Sequence, residues 1–228
     1  MPDKLEKKRL NADLTIALIV MGVALAVVMI FGQRAVLAPV ENAPLLVKTL
    51  YTAFVQFSIA GLGAVLVMVI RREGFAAFGL KKEGARKSLL YGLGLIILLL
   101  IYDLVKDGIL QYFPFRQVML TEEALGAPFP VNALTMMIIA LTWGFFEGFN
   151  YVFFSAKLNA LVPIKIPYLR LGPIVMGIAC IFIHGAVGQD MLAMLDAFLV
   201  VYLSLLIPEL TGNAWGTILV FFLYWNAV

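Results

Sequence analysis

The chain has 228 residues, 63% of them hydrophobic and 14% charged, with a net charge of +3 and a mean hydropathy of +0.99. A soluble domain carries about 25% charged residues, so this composition excludes an ordinary globular protein. It predicts an all-α, polytopic transmembrane helical bundle, a single membrane-embedded domain over 1–228 with no room for a soluble one.

The apolar runs, taken in order, predict about seven spans: 14–32, 46–70, 88–106, 132–155, 171–188, 191–208 and 213–227. The first follows Lys7, Lys8 and Arg9 and so imitates a signal peptide. It is longer than an apolar core of about 7–15 residues, and Ala35 and Ala38 lack cleavage-site spacing, so it reads as a retained helix. Basic residues set the orientation. Thirteen of the seventeen lysines and arginines lie in the N-terminal tail, the second loop and the fourth loop. The alternate segments hold only Arg34, Lys48, Lys106 and Arg116. By the positive-inside rule the N-terminus is cytoplasmic, and a prokaryotic chain of this kind belongs in the inner membrane.

The second loop, RREGFAAFGLKKEGARK, mixes Phe75, Phe78 and Leu80 with six basic residues. It is expected to lie on the inner membrane surface against anionic lipid headgroups; so short a patch beside two spans argues for no nucleic-acid partner. Thr121–Glu122–Glu123 sits in the longest external segment and reads as a solvated turn rather than a catalytic pair. Cys180 is the only cysteine and His184 the only histidine, so there is no disulfide framework or CxxC motif.

The fourth span carries WGFFEGFNYVFFSAKL, with Glu147 in an apolar run and Asn150 and Tyr151 three and four residues later on the same helical face. A carboxylate at membrane depth is costly and marks a functional path or site. Glu147 lies ten residues before Lys157, about 15 Å into the membrane. His184 and Asn226 each lie eleven residues past a cytoplasmic marker, Pro173 and Trp215, about 16 Å in. Three helices thus offer a carboxylate, an imidazole and an amide at similar depth. As structural groups, His184 and Asn226 would be interhelical hydrogen-bond partners. Asp103 reads as a snorkelling residue at the outer end of the third span, and Asp196 as a partner for His184. Gly144 and Gly148 form a GxxxG seam that lets another helix approach Glu147. Glu147, His184 and Asp196 make three metal ligands on paper, but HExxH is absent and no spacing requires a divalent metal, so no cofactor is expected.

These residues resemble the CPBP, or Abi, membrane proteins, which include the CAAX prenyl endopeptidases. The family's EExxxR motif is matched by Glu147–Gly148–Phe149–Asn150–Tyr151–Val152, and FxxxH by Cys180–Ile181–Phe182–Ile183–His184. Its HxxxN/D motif, after a short TG…W segment, is matched by Phe222–Leu223–Tyr224–Trp225–Asn226 behind Thr211–Gly212–Asn213–Ala214–Trp215. The GFAAFGLKK stretch also resembles the family's approach to its third helix. The resemblance implies a hydrolase in which Glu147 and His184 activate water and Asn226 stabilises the oxyanion. Asn150, Tyr151 and Asp196 would line the pocket. Gly148, Val152, Cys180 and Phe222 depart from the pattern, where the family has Glu, Arg, Phe and His. The implied function is intramembrane cleavage of a membrane-anchored protein or peptide. The alternative is a catalytically silent relative that binds a membrane partner or acts as a scaffold. A proton-coupled transporter is a weaker fit, because no inverted repeat is visible.

Overall fold

The structure, a computed structural model, describes residues 2–109, 111–186 and 188–227, with the side chains of Gln33, Arg34 and Ala186 outside that set. All regular secondary structure among the described residues is helical, with no strand. The principal helices are α1 (Lys4–Phe31), α2 (Leu45–Ala60), α3 (Leu62–Arg71), α4 (Ala85–Asp107), α5 (Val131–Leu161), α6 (Leu171–Ala186), α7 (Met191–Thr211) and α8 (Trp215–Trp225).

Four of them, α1, α4, α5 and α7, are long and apolar enough to cross a membrane, and α2 with α3 makes a fifth if the bent pair is one span. The expected span 46–70 is therefore not one straight helix; it turns by 65° at Gly61. Packing requires glycine at the break, because a Cβ on Gly61 would lie 2.6 Å from the Phe57 ring and 3.2 Å from Phe146 Cβ. The expected spans 171–188 and 213–227 are represented by the shorter helices α6 and α8, and Val187 within the former lies outside the described residues. Along α1, Leu18, Ile19, Val23, Val27, Ile30 and Phe31 stay exposed. So much open apolar surface on a helix of this length is what a hydrocarbon solvent accommodates.

The chain divides into two compact units. One holds 1–14, 72–110 and 151–220; the other holds 15–71, 111–150 and 221–228. In the first unit α6 packs on α7, and α4 packs on α7 and on the start of α8. The α4–α8 crossing is close because both partners are glycines: a Cβ on Gly92 would come within 2.5 Å of the Gly216 carbonyl oxygen. The TG…W segment ties this crossing down. Asn213 donates to the Lys81 and Glu83 carbonyls at 2.7 and 2.9 Å and accepts from the Trp215 N–H at 3.0 Å. Ser88 donates to the Asn213 carbonyl at 2.7 Å and accepts from the Gly216 N–H at 2.8 Å. A Cβ at position 216 would overlap the Ser88 carbonyl oxygen. Gly216→Ala is therefore expected to lower stability by about 1–3 kcal/mol through overpacking, seen as a lower melting temperature in detergent.

The basic loop departs from its expected place. Phe78 and Leu80 are buried and only Phe75 is exposed. Phe78 meets Phe153 at 5.3 Å between ring centroids. Two of the three apolar side chains assigned to the membrane surface thus belong to the interior of the first unit.

The same unit contains a buried ion cluster. Lys157, expected at the end of the fourth span, lies within α5, which continues to Leu161. Its side chain is 8% exposed, and its ammonium donates at 2.9 Å to both Asp13 and Glu73. The Asp13 side chain is fully buried. Arg9 joins the cluster through Glu73 at 2.7 Å, and the Phe78 and Phe153 rings pack against the Lys157 ammonium. The acid and aromatic partners keep this cation inside the fold.

Candidate functional site

Glu147 follows a π-helical stretch, Ala140–Phe146, and its N–H donates to the Thr142 carbonyl five residues back. A second π-helical stretch, Phe221–Trp225, forms the end of α8 and packs against the first. Such widened turns recur at functional sites because they redirect the side chains around them. Here both flank one carboxylate. Trp225 Nε1 donates to Glu147 Oε1 at 2.6 Å, and Gln56 Nε2, from α2, donates to Oε2 at 3.1 Å. Glu147 is only 9% exposed. Each carboxylate oxygen is thus held by one side-chain donor. An ionised carboxylate has about four acceptor positions, so the group retains capacity for a water or a substrate N–H.

The GxxxG seam is real in its packing, but what fills it is aromatic. A Cβ on Gly144 would lie 3.0 Å from the Phe222 ring, and one on Gly148 2.9 Å from the Phe221 ring. Phe222, where the resembled family has a histidine, belongs to an apolar cluster with Phe115, Val118, Leu120 and Ile139. A second glutamate at position 148 would collide with Phe221. Fitted apolar surface occupies the places where the resembled family carries Glu and His.

Asn226 adjoins Trp225 in the same unit. Its backbone carbonyl accepts from the Gln117 N–H at 2.9 Å, and the Ala227 carbonyl accepts from the Phe113 N–H at 3.3 Å. These bonds fix the end of the described chain against 113–117. The Asn226 amide nitrogen is buried and has no hydrogen-bond partner. An unsatisfied buried donor costs about 1–3 kcal/mol, so its presence calls for a ligand, a water or a catalytic role.

The remaining expected residues are distributed differently. Glu147, Asn150 and Asn226 belong to one unit, and Tyr151, His184 and Asp196 to the other. Asn150 is buried. The Tyr151 hydroxyl donates to Cys180 Sγ at 3.6 Å, which gives the cysteine of the second motif a packing role. His184 Nδ1 lies 2.6 Å from Gln189 Oε1, and the Gln189 N–H reaches the His184 carbonyl at 3.2 Å. Asp196 does not play the part assigned to it beside His184. Its carboxylate accepts from Tyr102 at 2.8 Å and Lys106 at 3.0 Å, because its turn of α7 faces α4. Asp103 is buried rather than snorkelling, with Lys106 3.8 Å away. Among the described residues no three His, Cys, Asp or Glu side chains are grouped as metal ligands, so Glu147, His184 and Asp196 form no such set.

Gln56 and Trp225 are the site residues that the sequence pattern leaves unmarked. Gln56 carries the better signal, since an amide within the apolar run 46–70 is subject to the same burial cost that singles out Glu147. Trp225 needs the second π-helical stretch to aim its indole N–H, which no local pattern announces. Comparison of the chain with known protein families, with curated proteins and with solved structures finds no match.

Proposed function

We propose that this chain is a CPBP-type membrane protein that acts as a divergent intramembrane endopeptidase on a membrane-anchored protein or peptide. Seven crossings follow if α6 and α8 join the four long helices and the bent α2–α3 pair. The bias of basic residues then places the N-terminus in the cytoplasm.

The observation that carries the catalytic part is the pairing of two unusual groups in one unit. One is a buried carboxylate oriented by Trp225 and Gln56; the other is the buried, unpartnered amide of Asn226. In this mechanism Glu147 removes a proton from water, and the resulting hydroxide attacks the scissile carbonyl carbon. The carbonyl π electrons move to oxygen, and the Asn226 N–H donates to the oxyanion as it forms. Collapse of the tetrahedral intermediate breaks the C–N bond, and Glu147 returns its proton to the leaving amine. The family resemblance also gives His184 a part in activating water, but the steps above use residues of the second unit alone. Gln56 and Trp225 are positioning residues.

The test is cleavage of a panel of membrane-anchored peptides by the purified protein. Asn226→Ala is expected to lower the cleavage rate about 10²–10³-fold, the usual cost of one oxyanion donor. An unchanged rate would remove Asn226 from the chemistry.

One observation favours the second reading, a catalytically silent relative. The positions of the missing family Glu and His are filled by tight aromatic packing, at Gly148 and Phe222. On that reading the Glu147 cluster joins helices, the wild-type protein cleaves nothing, and Glu147→Ala lowers the melting temperature.

A further inference from the structure

An open cleft of about 960 Å³ lies in the second unit, and Glu147 and its donors Gln56 and Trp225 are not among the residues that line it. Its volume falls within the range of small-molecule sites, about 300–1,000 Å³. It is formed by the segment 35–41 that follows α1, the first turns of α2, and 119–123. Its walls are largely apolar, with Leu37, Val40, Met119 and Leu120; among the described residues its polar groups are the charged Glu41, Lys48 and Glu123 and the Thr52 hydroxyl, which donates to the Lys48 carbonyl. Lys48 bridges to Glu123 at 3.1 and 3.3 Å, in a pair whose carboxylate side chain is 47% exposed. A pair that open to water contributes little and exchanges readily for other ionic partners.

We propose that this cleft binds the headgroup of phosphatidylethanolamine. The lipid carries one anionic phosphate and one ammonium a short ethylene link away, which matches the one cation and two carboxylates that line the cleft among the described residues. On binding, Lys48 exchanges Glu123 for the phosphate, and the freed Glu123, with Glu41, accepts hydrogen bonds from the ammonium. One internal ion pair is replaced by two intermolecular ones, and no charge is left alone. The surroundings suit a lipid rather than a soluble zwitterion. The cleft lies where the chain leaves the apolar helix α1 and enters α2, at the end of a span. Met119 on the cleft itself and Ile30 and Phe31 at the end of α1 that leads into it are exposed, an apolar track for acyl chains. Phosphatidylcholine presents no N–H to the carboxylates. Phosphatidylglycerol presents an anion without the compensating cation, so Glu41 and Glu123 repel it.

The experiment uses the delipidated full chain in detergent, titrated with dioleoyl-phosphatidylethanolamine, -phosphatidylcholine and -phosphatidylglycerol and read by native mass spectrometry and thermal shift. Phosphatidylethanolamine is expected to bind about tenfold more tightly than the other two. Glu41→Gln and Lys48→Gln each reduce that preference about tenfold while leaving the lipid-free melting temperature in place. Equal binding of all three lipids would overturn the proposal in favour of unspecific apolar contact. A preference for phosphatidylglycerol would overturn it in favour of a simple anion site at Lys48. Retention of the preference in both variants would place the lipid elsewhere. Equally tight binding of soluble glycerophosphoethanolamine would exclude the acyl track. None of these outcomes depends on peptide cleavage.

Discussion

Glu147→Gln protein is expected to lose about 10²–10⁴-fold in peptide cleavage, the contribution of a positioned general base, while keeping its fold. Glutamine has nearly the shape of glutamate, and its amide oxygen can still accept from the Trp225 indole. Its amide nitrogen would face the nitrogen of Gln56, but the Gln56 amide can turn over and present its oxygen instead. Both hydrogen bonds are then recovered, and only the proton acceptor is lost. The melting temperature should therefore stay within about 2 °C of the wild type. Initial rates and thermal unfolding in the same detergent read both quantities. A variant that cleaves as well as the wild type would take Glu147 out of the chemistry.

The second large effect concerns stability. Lys157→Met is expected to cost about 3–5 kcal/mol, because it removes the cation that the fully buried Asp13 carboxylate faces at 2.9 Å, while Glu73 keeps Arg9. Methionine keeps an apolar stem against Phe78 and Phe153, so the loss isolates the charge from the packing. At about 2–4 °C per kcal/mol for a chain of this size, the melting temperature should fall by roughly 6–20 °C. Adding Asp13→Asn should recover part of the loss, since the buried charge that lost its ammonium is then removed. A shift of less than about 2 °C for the single variant would show that the cluster is hydrated and weak.

The helical class, the long apolar helices and the distinctive position of Glu147 are all legible in the residues, because each rests on local composition. A run of about 20 apolar residues has few other fates, and a carboxylate inside one is conspicuous. What resisted reading depends on contacts distant in sequence. The need for glycine at position 61, where the span bends, shows only once Phe146 is placed beside it. Phe78 and Leu80 look like surface anchors until Phe153 is placed beside Phe78. Lys157 looks like a topological marker until it meets Asp13 and Glu73. In sequence Asp196 reads as a partner for His184, whereas it bonds to Tyr102 and Lys106 on α4. The donors to Glu147 come from positions 91 residues before it and 78 after it, separations over which helical periodicity carries no information.

The ion cluster also dictates an order of events during synthesis. Asp13 and Lys157 are separated by 144 residues, roughly 7–29 s of translation at about 5–20 residues per second. Throughout that interval the acid exists without its cation. A lone aspartate within hydrocarbon is costly, so the first turns of α1 must wait in water or among headgroups. They reach their final seat only after most of α5 has emerged. Helix insertion can follow the ribosome, but closure of the first unit belongs to the last half of the chain.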